Sequence, residues 1–181
     1  MLSWIRARSD KTRRATELYG AVVAQARSPQ FYGGLGVPET LAGRYEMIVV
    51  VLFQVLERLK GEADEVEEVA RVALESLFTD VDDQMREIGI GDLSVPKKVK
   101  RAAAGFYERS LAYRAALDAG DETALSAALA RFIDTKGGDP GASDAARRLP
   151  LARHMLAQRD RLAAAALDDV LAGRAFVAPV V

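Results

Sequence analysis

An all-α fold, an irregular single-domain bundle of about six helices, is what this sequence predicts, and three observations predict it. Apolar residues recur at spacings of three and four along most of the chain. Alanine is abundant and there are only 6 prolines, a composition that favours helix. No segment alternates apolar and polar residues with the period of a strand. With 181 residues, 50% of them apolar and 28% charged, the chain can bury the core of one domain.

The first helix is expected over 12–27, where Ala15, Leu18, Tyr19, Val22, Val23 and Ala26 form one apolar stripe. Gly20, Ala21 and Ala24 are small enough to admit a close neighbour. Ser28-Pro29 ends this helix, because a residue before proline disfavours helical dihedrals. The segment FYGGLGVPET reads as a glycine-rich connection. A second helix follows from Thr40 or Gly43 to Lys60, and its run MIVVVLFQVL is apolar on every face, which places it at the centre of the bundle.

The third helix, over 63–88, carries Val66, Val69, Ala73, Leu77 and Val81 on one face and Asp64, Glu65, Glu67, Glu68, Glu75, Asp83 and Glu87 on the other. Gly89 suits its C-cap. The turn GIGDLSVP leads to a fourth helix over 96–119, with Val99, Ala102, Ala103, Phe106, Ser110, Tyr113 and Leu117 inward and Lys97, Lys100 and Arg101 outward. Gly120 ends it, and Asp121 caps a fifth helix running to Asp134. TKGGDPGAS is a loop, and a last helix is expected over 150–172. The organisation is therefore a basic arm over 1–11, a helical domain over 12–173 and an apolar tail over 174–181.

Composition narrows the function. A net charge of −1 gives the molecule no electrostatic preference for DNA. The chain has no cysteine, which removes disulfides, thiolate metal sites and thiol nucleophiles together. No stretch reaches the roughly 20 apolar residues of a membrane span. The N-terminus MLSWIRARSDKTRR has neither the apolar region nor the small-residue cleavage site of a secretory signal, and it reads as a basic arm rather than a transit peptide. Trp4 and Ile5 beside Arg6 and Arg8 suit contact with an anionic membrane surface, and a plain polar tail is the competing reading.

The lone histidine, His154, has no Ser-His-Asp setting and reads as an incidental surface or interface residue. Asp80, Asp82 and Asp83 have the residue type of a magnesium-diphosphate site. Such a site needs a second aspartate-rich helix facing it, and Asp168-Asp169 is the only other aspartate pair. The plainer reading is a solvated helix face with an Asp82–Arg86 pair. FYGGLGVPET lacks the lysine of a phosphate-binding loop, so its glycines serve backbone turns. The acidic third helix and the basic start of the fourth (Lys97, Lys98, Lys100, Arg101) either pair across their hairpin or present adjoining patches of opposite sign to a partner.

Three segments carry a resemblance: LYGAVVAQARSPQFYGGLGVPETLAGRYEMIVVVLF, LFTDVDDQMREIGIGDLSVPKKVKRAAAGFYERSLAY and the closing LAGRAFVAP. Together they resemble the ubiquinol–cytochrome c chaperone family, over almost the whole chain and in the family's order. The likeness is to the shorter members of alphaproteobacterial type. The pattern falls on Gly34, Gly36, Val37, Pro38, Gly43, Arg44, Tyr45, Glu46 and Met47. It continues on Asp80, Asp82, Arg86, Glu87, Gly89, Gly91, Asp92, Val95, Pro96, Lys97 and Val99.

The resemblance implies an all-helical assembly factor of respiratory complex III with no catalytic residue, metal or cofactor. Its mitochondrial members bind newly made cytochrome b, with a small partner protein, near the ribosome exit. The implied partners are cytochrome b or another complex III subunit, with the ribosome or an anionic membrane surface in addition. The implied location is the bacterial cytoplasm, with peripheral attachment to the inner membrane. Partner contacts are expected at Gly34, Gly36, Pro38, Arg44, Tyr45, Glu46, Asp80, Asp82, Arg86, Asp92, Lys97, Lys98 and Arg101. The competing reading has Arg44, Glu46, Asp80 and Asp82 satisfying one another to hold loops in place. A lipid- or isoprenoid-binding bundle and a magnesium enzyme using the Asp80 cluster are the alternatives in other functional classes.

Overall fold

The computed structural model describes residues 2–87, 95–135, 137–138 and 140–179, and within them the chain is helical, with no strand. Six long helices and two short ones follow in order: α1 Leu2–Ala26, α2 Pro29–Gly33, α3 Leu41–Leu59, α4 Asp64–Glu87, α5 Val95–Ala119, α6 Glu122–Ile133, α7 Ala142–Ala164 and α8 Leu167–Leu171. The expected all-α bundle is therefore what forms.

Helix α3 is the hub, in contact with α1, α4, α6 and α7. Its residues Val49 to Val55 are all buried, as a run apolar on every face requires. The one polar residue in that run, Gln54, donates from Nε2 to the Met155 carbonyl at 2.6 Å. The Thr40 hydroxyl caps α3, accepting from the Gly43 amide at 3.1 Å. Gly43 is irreplaceable there, since a Cβ would lie 2.0 Å from the Pro38 carbonyl oxygen. Helices α1 and α4 pack together, as do α4 and α5, α5 and α6, and α6 and α7.

The helices differ from the expectation in four places. Helix α1 starts at Leu2 instead of Thr12, because nothing in LSWIRARSDKTRR breaks a helix. The glycine-rich connection opens with the short α2, whose Phe31 is buried. Helix α7 starts at Ala142 and carries Pro150 in its interior, whereas Pro150 reads as a helix start in the sequence. Proline removes one N–H from the helical ladder. Burial of Arg148, Leu151 and Ala152 holds the helix through it, and the Ser126 hydroxyl of α6 donates to the nearby Ala145 carbonyl. The expected last helix is thus two: α7 ends at Ala164, Ala165 and Ala166 are extended, and α8 follows.

The C-terminal segment is clamped to the bundle. The Gln158 side chain donates to the Ala175 carbonyl and accepts from the Val177 amide, and Gln25 of α1 donates to the Val177 carbonyl. Gly173 adopts φ +70, and a Cβ there would lie 2.2 Å from Cβ of Ala21. Of the three small residues on α1, Ala21 is the one that admits this close neighbour. Gly20 faces open space.

At the centre, Tyr113 of α5 stands between Phe53 and Phe132, with ring centroids 5.7 and 5.8 Å away. Its hydroxyl is fully buried and has no hydrogen-bond partner. An orphaned buried hydroxyl is a net cost. Tyr113→Phe is expected to raise unfolding free energy by about 1–2 kcal/mol, read from urea midpoints. A lower midpoint would mean that the hydroxyl is bonded after all.

Candidate functional site

The residues singled out in the sequence fall into three structures at the α1–α3–α4–α5 side of the bundle and its glycine-rich connection. The first is the connection itself. Leu35 and Val37 insert into the core, leaving Gly34 and Gly36 exposed and Pro38 half-buried. Gly36 turns the chain at φ +67. Its carbonyl accepts from Arg148 at 2.8 Å, and the Leu35 carbonyl lies 3.4 Å from the same Arg148 nitrogen. Arg148, only 2% exposed, also forms a two-pronged pair with Asp134, at 2.6 and 2.8 Å. One guanidinium therefore staples the glycine block to α7 and to the end of α6.

The second structure is a polar layer running from α4 through α1 and α3 to α5. The Tyr19 hydroxyl donates to Asp80 at 2.7 Å. Tyr45, largely buried, lies within electrostatic reach of Tyr19 on one side and of Glu46 and Arg109 on the other. Glu46 accepts two hydrogen bonds from Arg109, at 2.5 and 2.7 Å. Arg109 also donates to the Gly105 carbonyl at 2.9 Å and lies over the Phe132 ring, 4.7 Å from its centroid. Burial pushes the Glu46 carboxyl above the ordinary carboxylate value, against the pull of the guanidinium. Burial likewise raises the Tyr19 hydroxyl, and the Asp80 carboxylate beside it adds to the shift.

The third is an open groove between α4 and α5, of about 580 Å³. Phe78, Val99 and Ala103 supply its apolar surface. Glu75, Thr79 and Asp82 stand on the α4 side and Lys100 on the α5 side. Phe78 is propped edge-on against Phe106, 6.4 Å between centroids. Lys97 and Arg101 are exposed on α5 beyond it. An apolar strip between walls of opposite charge can hold an amphipathic peptide segment and orient it.

A smaller cavity of about 300 Å³ lies among α3, α5 and α7. Its arginines serve the fold: Arg58 and Arg159 donate to the Leu162 and Leu117 carbonyls near the ends of α7 and α5, and Arg114 pairs with Glu57. Such arginines satisfy the carbonyls that a helix end leaves open.

Residues 34–178 match the family model described as "Ubiquinol-cytochrome C chaperone". The chain belongs to the ubiquinol–cytochrome c chaperone family. The matched span begins at the glycine block and takes in the polar layer except Tyr19, the groove and the clamped C-terminal segment. The fold agrees: the crystal structure of the Cbp3 homolog from Brucella abortus superposes with a TM-score of 0.80 at 38% identity, covering 95% of this chain and 93% of that one. No curated protein matches the chain.

Arg44, Glu46, Asp80 and Asp82 do not form one mutual cluster. Arg44 pairs with Glu39 at 3.0 Å on the surface, Glu46 with Arg109, and Asp80 with Tyr19, while Asp82 lines the groove. Among the described residues no carboxylates, histidines or cysteines gather as metal ligands. His154 is half-buried, edge-on to Phe31 at 5.2 Å, and burial lowers its pKa. Asp92 lies outside the described residues, as do the side chains of Arg86, Lys98, Trp4, Ile5, Arg6 and Arg8. Arg109, Arg148, Asp134 and Tyr19 escape sequence reading as polar-site residues. Their partners are 63, 112, 14 and 61 positions away, and no local pattern signals such pairs.

Proposed function

We propose that this protein is a non-enzymatic assembly chaperone of the ubiquinol–cytochrome c reductase complex that holds newly made cytochrome b at the cytoplasmic face of the inner membrane. The family match over residues 34–178 carries the reading. The α4–α5 groove supports it physically, because an apolar strip with charged walls suits a segment of an unassembled membrane protein. Asp82, Lys97, Lys98 and Arg101 then set the client's direction. Gly34, Gly36 and Pro38 offer a second edge, whose shape the staple through Arg148 maintains, with Arg44 exposed beside it. The polar layer fastens α4 to α1 through Asp80 and α3 to α5 through Glu46. Trp4, Ile5, Arg6 and Arg8 would face anionic lipid. No helix among the described residues is long and apolar enough to cross a membrane, so lipid contact in this scheme is peripheral.

Capture from native membranes tests the proposal. The wild-type chain is expected to retain cytochrome b, and Lys97→Glu with Lys98→Glu to reduce that retention by about tenfold at unchanged helicity and melting temperature. Normal complex III levels in a strain lacking the protein would overturn the reading. Copurified isoprenoid or lipid in place of a polypeptide would do the same.

A further inference from the structure

Helix α5 has an outward stripe that the core does not use and that meets the groove only at Lys100. Phe106, Ser110, Tyr113, Ala116 and Leu117 point into the bundle. At 100° per residue the opposite side carries Lys100, Ala104, Tyr107, Leu111, Ala115 and Asp118, all exposed and spaced by threes and fours. Tyr107 is 71% exposed and Leu111 55%, although both are large and apolar. Alanines flank them on each side, so a second helix can approach closely along the whole stripe.

The stripe is complementary to itself. Laid antiparallel on a second copy, with the axis at position 109, Tyr107 meets Leu111 of the other chain and Leu111 meets its Tyr107. The same register brings Lys100 opposite Asp118 twice, by symmetry, and Ala104 opposite Ala115 within one residue. Apolar centre and charged ends share one midpoint, which is what a two-fold contact between identical surfaces requires. A parallel arrangement would set Lys100 against Lys100. We infer that this face of α5 is a homodimer interface, closed by antiparallel pairing of α5 with α5 of a second copy. Its extent is one helix pair, at the small end of specific interfaces and below about 1,200 Å², so the dimer is reversible.

Sedimentation equilibrium of the full-length protein from roughly 1 to 200 µM, around micromolar affinity, reads this directly. A monomer–dimer equilibrium is expected for the wild type, and a monomer for Leu111→Glu. Lys100→Asp and Asp118→Lys alone should each weaken self-association by about tenfold, since each sets like charges opposite one another twice. Mixing those two single variants should give a heterodimer. The chain carrying both changes should dimerise again. Circular dichroism confirms the fold of each, since every altered side chain is exposed. A wild-type chain that stays monomeric, a dimer indifferent to Leu111→Glu, or a double variant that fails to recover overturns the inference. So does a monomer whose Leu111→Glu form loses only client capture, which would assign the stripe to the client instead.

Discussion

Arg148→Met is expected to destabilise the protein by about 3–5 kcal/mol. The guanidinium is almost wholly buried and answers Asp134 together with the Gly36 and Leu35 carbonyls. Methionine keeps most of the volume and none of the donors. The cost is therefore a part-buried Asp134 carboxylate left with only the exposed Arg147 guanidinium 4.0 Å away, and a turn carbonyl left without its donor. Arg148→Lys should recover little, because a single ammonium cannot span the two carboxylate oxygens and the Gly36 carbonyl at once. Urea unfolding measures the loss. Hydrogen exchange localises it: the Val37 amide, which donates to Phe31 at 3.0 Å, should lose protection before the centre of α3 does. A loss below about 1 kcal/mol would place Arg148–Asp134 among exposed ion pairs and remove the staple from the account.

Breaking the Glu46–Arg109 pair from either side should also cost about 3–5 kcal/mol, while removing both partners together should cost far less than the sum. Glu46→Leu leaves Arg109 over Phe132 with a buried positive charge, and Arg109→Met leaves a buried carboxylate. The double variant leaves neither, and Leu with Met fills similar space. A double-mutant cycle is expected to give a coupling of about 2–3 kcal/mol. Additive losses would show that the two groups act separately.

The pair also predicts a pH dependence. Burial raises the folded-state pKa of Glu46 above its ordinary 4.5, so the folded state holds that proton more tightly than the unfolded one. The contribution from this shift is complete below pH 4.5 and is lost as pH rises through the folded value. The stability difference between wild type and Glu46→Gln should therefore move against the wild type as pH rises from 4.5, in urea titrations at matched ionic strength.

The family's polar positions take on distinct jobs once their partners are known. Buried Glu46 fastens α3 to α5, and half-buried Asp80 fastens α4 to α1. Gly36 permits a left-handed turn that side-chain-bearing residues rarely adopt, and Gly43 a close approach that any Cβ would block. Asp82 and Lys97, with Lys100 and Arg101 outside the family pattern, lie at or beside an open groove or on exposed helix surface, where a partner can reach them. Substitutions in the first two groups should lower stability and function together. Substitutions in the last should separate them.

The sequence by itself determined the helical class, the central place of α3, the cap at Asp121, and the inward face of α5. Each of these is written in spacing, composition or a residue with one local use, so its cause lies within a few positions. Only the tertiary structure decided that α7 runs through Pro150, that Arg148 reaches back to the glycine block, that Glu46 answers Arg109, and that Tyr107 and Leu111 stay outside. Those outcomes depend on groups brought together from distant positions in the chain. There the energy of burying or pairing a side chain exceeds a local preference, and no short pattern records which distant partner will be present.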